Sequence, residues 1–228
     1  MKRAKSKFVH DQAEQDFYDS FNKFIFSSDT KVFGKLASKI FFLEQTKSIP
    51  GDIVELGVFK GSGLIAWLKS AKVLGLNTVK VVGFDIFDEA NLIKDIKSQD
   101  RNLMKELFET RLFKSLGHDK LLESILKSNG FINFELVKGD VKSSVPKFLE
   151  SYPGFRAKLI NFDLDTEEPT DICLRLLWDR LLPGGIMLFD EYAIKEWTES
   201  NAVDKFVREK NLALRNTTFE FPTAFIIK

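Results

Sequence analysis

Acidic residues recur where strands should end in this chain. Asp85, Asp140, Asp163 with Asp165, and Asp190 with Glu191 each close a short apolar run. In an open α/β sheet, ligands bind beyond the carboxyl ends of the strands, so these side chains fall where chemistry would be done. Adjacent strands would bring Asp163 close to Asp190 and Glu191. Left uncompensated, three such carboxylates repel and raise one another's pKa. A hard divalent cation with oxygen ligands, Mg²⁺ above all, resolves that conflict. The cation could then hold a substrate hydroxyl and lower its pKa, with Asp165 placed to take the proton. Asp85 suits a different task, gripping the two hydroxyls of a ribose, and Asp140 could accept from an adenine amino group. Any one of these acids alone is more often a turn or a helix cap. The set of four strand ends favours function.

The acids need positioning elements, and the sequence supplies them. Residues 51–63 read G-D-I-V-E-L-G-V-F-K-G-S-G. That is a strand ending at Glu55, then a glycine turn through Gly57, Gly61, Ser62 and Gly63, then an apolar-periodic helix over 61–76. Glycines let backbone approach a ligand closely, and the helix start offers unpaired N–H groups, so the motif makes a nucleotide-sized cradle. Downstream, strands are expected at 78–84, 133–137, 158–162 and 185–189, with a last pair around 212–218 and 223–227. Helices are expected at 143–151, 169–182 and 199–210. This alternation predicts a Rossmann-like, doubly wound α/β fold: a mostly parallel seven-stranded sheet with an antiparallel C-terminal edge strand. Residues 1–49 read as an N-terminal helical cap, with helices over 11–25 and from Thr30 to Glu44. Residues 50–228 form the main domain, and a helical insertion at about 90–129 holds two helices.

Bulk properties narrow the classes. The 228 residues carry a net charge of +1, which gives nucleic acid no basic face to bind. A single cysteine, Cys173, excludes an intramolecular disulfide framework and reads as a small hydrophobe on a helix. Residues 1–7 are basic but no apolar run of signal or membrane length follows. A soluble cytoplasmic protein without membrane association is expected. The 23 phenylalanines, against three tyrosines and three tryptophans, read as core filler. His10 and His118 read as surface residues rather than catalytic bases.

The chain resembles the class I S-adenosylmethionine-dependent methyltransferases. Glu55-Leu56-Gly57 with Gly61-Ser62-Gly63 is similar to their first motif, and Asp85 matches their acidic ribose-binding position. Pro50-Gly51-Asp52, Gly83-Phe84-Asp85-Ile86-Phe87, Phe162-Asp163-Leu164-Asp165 and Leu182-Pro183-Gly184-Gly185 with Asp190-Glu191-Tyr192 resemble the macrocin O-methyltransferase family more specifically. That resemblance implies S-adenosylmethionine held by Glu55, Gly57, Gly61, Ser62, Gly63, Asp85, Asp140 and Asp163. It implies Mg²⁺ on Asp163, Asp190 and Glu191, with Asp165 as general base. It also implies a small-molecule hydroxyl acceptor such as a deoxysugar or nucleotide sugar. The chain departs from the family pattern at Leu164, where glycine is usual, and at Glu191, where a second aspartate is usual. Tyr192 and Trp197 are expected to shape the acceptor pocket, and the apolar N-terminal helices to support a homodimer.

Two other classes compete. A short-chain dehydrogenase binding NAD(P) would share a G-x-x-x-G-x-G turn at Gly57, Gly61 and Gly63. It needs a Tyr-x-x-x-Lys pair, and Tyr192 and Lys195 stand one residue too close. A non-catalytic scaffold on the same fold would keep or lose the cofactor, and the intact glycine turn and acid ladder argue against loss.

Overall fold

The computed structural model describes residues 12–87 and 118–228. Its helices and strands, in chain order, are α1 (Gln12–Ile25), α2 (Thr30–Gln45), β1 (Asp52–Leu56), α3 (Ser62–Val73), β2 (Val81–Asp85), α4 (His118–Ser128), β3 (Phe134–Lys138), α5 (Val141–Ser151), β4 (Ala157–Phe162), α6 (Glu167–Trp178), β5 (Leu181–Phe189), α7 (Glu199–Lys210), β6 (Arg215–Asn216) and β7 (Ala224–Ile227). The first part of the expected insertion and His10 lie outside the described residues.

The strands form one seven-stranded sheet in the order β3-β2-β1-β4-β5-β7-β6. β1 to β5 are parallel, and β7 runs antiparallel to β5. The expected fold is therefore present. The C-terminal hairpin also forms, but β7 lies inside it against β5, and the two-residue β6 is the edge. The chain order reverses beside β1, which pairs with both β2 and β4, so the carboxyl ends of β1 and β4 flank the switch point.

β1 (D-I-V-E-L) and β4 (A-K-L-I-N-F) are almost wholly buried, as strands covered on both faces must be. One face packs Val54, Leu56, Phe84, Phe148, Phe162, Leu174, Phe189 and Phe206 beneath α5, α6 and α7. The other packs Phe42, Leu43, Ile53, Leu64, Trp67, Leu122 and Leu188 beneath α2, α3 and α4. Each fully buried side chain of this size stabilises the fold by about 1.5–3 kcal/mol. Phe42 and Leu43 make α2 part of this core, and its start is fixed by Asp29, whose side chain accepts from Val32 N–H at 2.9 Å. Phenylalanines meet edge to face in both layers: Phe84 with Phe148 at 5.3 Å and Phe41 with Phe42 at 5.1 Å.

β5 begins at Leu181, four residues earlier than the expected 185. The register slips between Ala157 and Leu159, so Leu182-Pro183-Gly184-Gly185 is accommodated as an irregularity in the strand. The expected helix over 169–182 stops at Trp178, and Leu181 and Leu182 belong to the strand instead. No helix among the described residues is long and apolar enough to cross a membrane.

Candidate functional site

The site is assembled at the carboxyl edge of β1, β2, β4 and β5. The main chain there is knitted strand to strand: Gly57 N–H donates to Phe84 C=O at 2.9 Å, Asp163 N–H to Leu56 C=O at 2.9 Å and Asp190 N–H to Phe162 C=O at 3.0 Å. Gly57 has φ +89°, and a Cβ there would lie 1.9 Å from the Asp163 carbonyl oxygen. The glycine turn and the first acid of F-D-L-D are thus in direct backbone contact. Gly61, also left-handed, precedes α3 and provides no side-chain cap, so the helix start stays open. At Gly63 the space a Cβ would take is filled by Glu55 Oε1, 2.1 Å away.

Asp85 holds this turn in place. Its Oδ2 accepts from Val58 N–H at 2.8 Å and Phe59 N–H at 2.7 Å, and its Oδ1 accepts from Phe87 N–H at 2.8 Å. A carboxylate has about four acceptor sites, so one remains for a ligand hydroxyl. Asp140 caps α5, accepting from Lys142 N–H at 2.8 Å. That is the cap expected of a lone acid after a strand.

Asp163, Asp165 and Glu191 converge, each with a carboxylate oxygen within 4.8 Å of the others. Oxygens around one Mg²⁺ at about 2.1 Å lie at most about 4.2 Å apart, so the three could share an ion after a small contraction. Glu191 Oε2 is buried and has no hydrogen-bond partner among the described residues. A buried carboxylate that carries an unpartnered oxygen and converges with two other acids is a feature a hard cation would satisfy. Asp190 adjoins them, its charge acting on both Asp163 and Glu191, and is paired with Lys35 Nζ at 2.5 Å.

The electrostatics follow from this crowding. Burial, then the charges of Asp163, Asp165 and Asp190, push the Glu191 carboxyl up to about 12. Desolvation and Asp190 likewise raise Asp163, against the pull of Lys35. Behind Glu191 lies a fifth acid, Glu199 at the start of α7, fully buried and raised well above the carboxylate range by desolvation. Its Oε2 accepts from Glu191 N–H at 2.8 Å, which fixes the chain leaving β5.

Backbone strain gathers here too. Phe59, Phe87, Asp165 and Ala193, four of the five non-glycine residues with positive φ among the described residues, sit in the loops that follow β1, β2, β4 and β5. Such conformations cost on the order of 1–3 kcal/mol each and persist where a site over-determines them.

Sequence reasoning missed Lys35, Lys39 and Glu199. α2 carries lysines at 31, 35 and 39, one turn apart on a single face. Lys35 reaches Asp190 and lies 3.9 Å from Asp163; Lys39, itself buried, reaches Glu55 at 3.7 Å. The even spacing on an otherwise apolar helix was the available signal. The other expectations of side-chain position divide. Tyr192 packs against the core and donates to Asp204 at 2.8 Å. Lys195 is 89% exposed and pairs with Glu196. No Tyr–Lys pair of the dehydrogenase kind is therefore present among the described residues.

Comparison with known proteins decides the family. The macrocin O-methyltransferase (TylF) family matches residues 38–220, most of the chain. The chain belongs to that family. A curated relative, the 8-demethyl-8-(2,3-dimethoxy-alpha-L-rhamnosyl)-tetracenomycin-C 4'-O-methyltransferase of Streptomyces olivaceus, is 29% identical over 150 residues. That match spans 64% of this chain and 54% of the relative, so this chain aligns with about half the length of that protein. Among solved structures, the calicheamicin methyltransferase CalS11 superposes with a TM-score of 0.71 at 23% identity, covering 100% of this chain and 99% of that one. The same protein without ligand, described as a TDP-rhamnose 3'-O-methyltransferase, gives 0.69 at 24% identity over 96% and 97%. At this identity the superpositions establish the shared fold.

Proposed function

We propose that the chain is an S-adenosylmethionine-dependent O-methyltransferase acting on a hydroxyl of a sugar or nucleotide-linked sugar, with Mg²⁺ in the carboxylate cluster. The observation that carries the reading is the convergence of Asp163, Asp165 and Glu191, a buried carboxylate with one unpartnered oxygen, beside the glycine turn, in a chain of the macrocin O-methyltransferase family. Both relatives named above act, by description, on rhamnose or a rhamnosyl group.

The residues divide the work. Glu55, Gly57, Gly61, Ser62, Gly63, Asp85 and the backbone at Asp163 would hold the cofactor, and Asp140 would reach its adenine. Asp163, Asp165 and Glu191 would hold the cation, joined by Asp190 if it is released from Lys35. When bound, the cofactor supplies a methyl group activated on a sulfonium, and the cation supplies Lewis-acid stabilisation of the acceptor oxygen. Asp165, three residues beyond β4, would take the proton of the acceptor hydroxyl. The rigid strand ends contribute alignment, which is most of what a transfer from an activated donor needs. Asp85 fixes the turn, and Glu199 fixes the segment carrying Glu191. The exposed apolar surface of α1, α2 and the turn between them, with Phe17 at 67% and Phe26 at 83% exposure, supports a homodimer.

Incubation with methyl-labelled S-adenosylmethionine, TDP-rhamnose and Mg²⁺ tests the reading. Label appears in the sugar, and chelator abolishes transfer. No transfer to a panel of deoxysugar nucleotides and rhamnosylated acceptors overturns the proposed acceptor class.

A further inference from the structure

The charge balance of the site is set by a helix outside the sheet. Lys35, on α2, places Nζ 2.5 Å from Asp190 Oδ2 and 3.9 Å from Asp163 Oδ2. Asp190 is buried, its side chain only 5% exposed. One turn on, Lys39 pairs with buried Glu55 at 3.7 Å and lies 4.3 Å over the Trp67 ring. Lys35 also lies 5.0 Å over the Phe221 ring. Helix α2 is therefore fastened over the carboxyl edge by two cations, each seated on an acid that closes β1 or follows β5. Two buried acids would be strongly penalised without these partners.

We propose that Lys35 is the resident counter-cation of the carboxylate set and competes with the divalent cation for Asp190 and Asp163. This rests on the metal-binding reading of the same site. A dication seated among Asp163, Asp165 and Glu191 takes over the charge compensation that Lys35 provides and repels the ammonium. Asp190 is then freed to join the ligands, which reconciles the expected set of Asp163, Asp190 and Glu191 with the one assembled here. By linkage, what the cation does to Lys35, Lys35 does to the cation: docking of α2 weakens metal binding, and metal binding loosens α2. Metal occupancy and the position of the helix that covers the site are thus coupled through one ion pair. Lys35 acts as a positioning residue, not a catalytic one.

The test uses Mn²⁺ as the probe, without cofactor or acceptor, on the wild-type chain, Lys35→Met and Lys35→Arg. Calorimetric titration should find Lys35→Met binding Mn²⁺ at least about ten-fold more tightly than wild type, roughly 1.4 kcal/mol. That is the scale of a screened interaction between one charge and a dication. Lys35→Arg, which keeps the charge, should stay near wild type. In the wild-type chain alone, saturating Mn²⁺ should speed amide exchange in residues 30–45, a readout that needs no variant to fold. Equal or weaker binding by Lys35→Met, or unchanged exchange in Mn²⁺-bound wild type, overturns the inference and leaves the metal site standing. Absence of Mn²⁺ binding in all three proteins overturns both.

Discussion

Replacing Gly57 by alanine should separate two costs that the structure lets us size independently. The residue has φ +89°, where an L side chain costs about 1–2 kcal/mol. The new Cβ would also lie 1.9 Å from the Asp163 carbonyl oxygen and 2.9 Å from its carbon. Those are backbone atoms of the next strand, so the clash cannot be relieved by rotating a side chain. Either the glycine turn or the end of β4 must move by roughly 1 Å, and overpacking of this kind costs about 1–3 kcal/mol. The combined loss is about 2–5 kcal/mol. For a domain of this size each kcal/mol lowers Tm by about 2–4 °C. Gly75 is the control: its φ is +72°, but nothing lies within 4 Å of the position a Cβ would take. Gly75→Ala should therefore show the backbone cost alone, about 1–2 kcal/mol. Scanning calorimetry on the two variants measures the difference. A titration with S-adenosylhomocysteine should show Gly75→Ala binding like wild type and Gly57→Ala at least about ten-fold weaker, because turn and Asp163 move together. Equal Tm losses, or undiminished binding by Gly57→Ala, would refute the packing argument.

Asp165→Asn should keep the fold, since asparagine tolerates the positive φ of 63° found there. It should also keep cofactor affinity while kcat falls about 10²–10⁴-fold, the usual loss for a removed general base; a kcat near wild type would acquit Asp165. Burial keeps Glu199 protonated well above the range in which the unfolded chain titrates, and Glu55 is shifted the same way. The folded state then retains protons that the unfolded state releases, so stability of the metal-free protein falls as pH rises through and above the range in which unfolded glutamate ionises. Glu199→Gln removes one such group and should flatten that slope by up to about 1.4 kcal/mol per pH unit, read from urea unfolding in chelator; an unchanged slope would contradict the assignment. Cys173 is fully buried and its thiol is pushed up by desolvation, with Asp140 adding to it. It should resist a disulfide reagent in the native protein and react only on unfolding, and rapid native labelling would show that α6 is not packed as described.

Much of this was legible because it depends on local pattern. Buried parallel strands read as short apolar runs, and the acids that follow them mark strand ends whatever they later bind. Helix α7 lies where its periodicity places it, Glu199–Lys210. Boundaries failed where tertiary pairing overrules composition. Pro183-Gly184-Gly185 argues against a strand locally, yet Leu181 pairs with Ala157 across a shifted register. The second-last strand shrinks to Arg215–Asn216 because only those residues pair with β7. The site was legible in its acids but not in its cations. Which of two neighbouring acids faces a ligand depends on what sits opposite, and Lys35 lies 155 positions from Asp190 in sequence. No spacing rule connects a cap helix to a strand end at that distance; only packing of Phe42 and Leu43 into the core brings α2 close enough.

The central claim, that the glycine turn and the strand-end acids form a methyl-donor site, is tested most directly by titrating the purified chain with S-adenosylhomocysteine and, in parallel, NADH. A methyl-donor site gives saturable one-to-one binding of S-adenosylhomocysteine, weakened by Gly57→Ala, and no binding of NADH. Saturable binding of NADH with none of S-adenosylhomocysteine would contradict it.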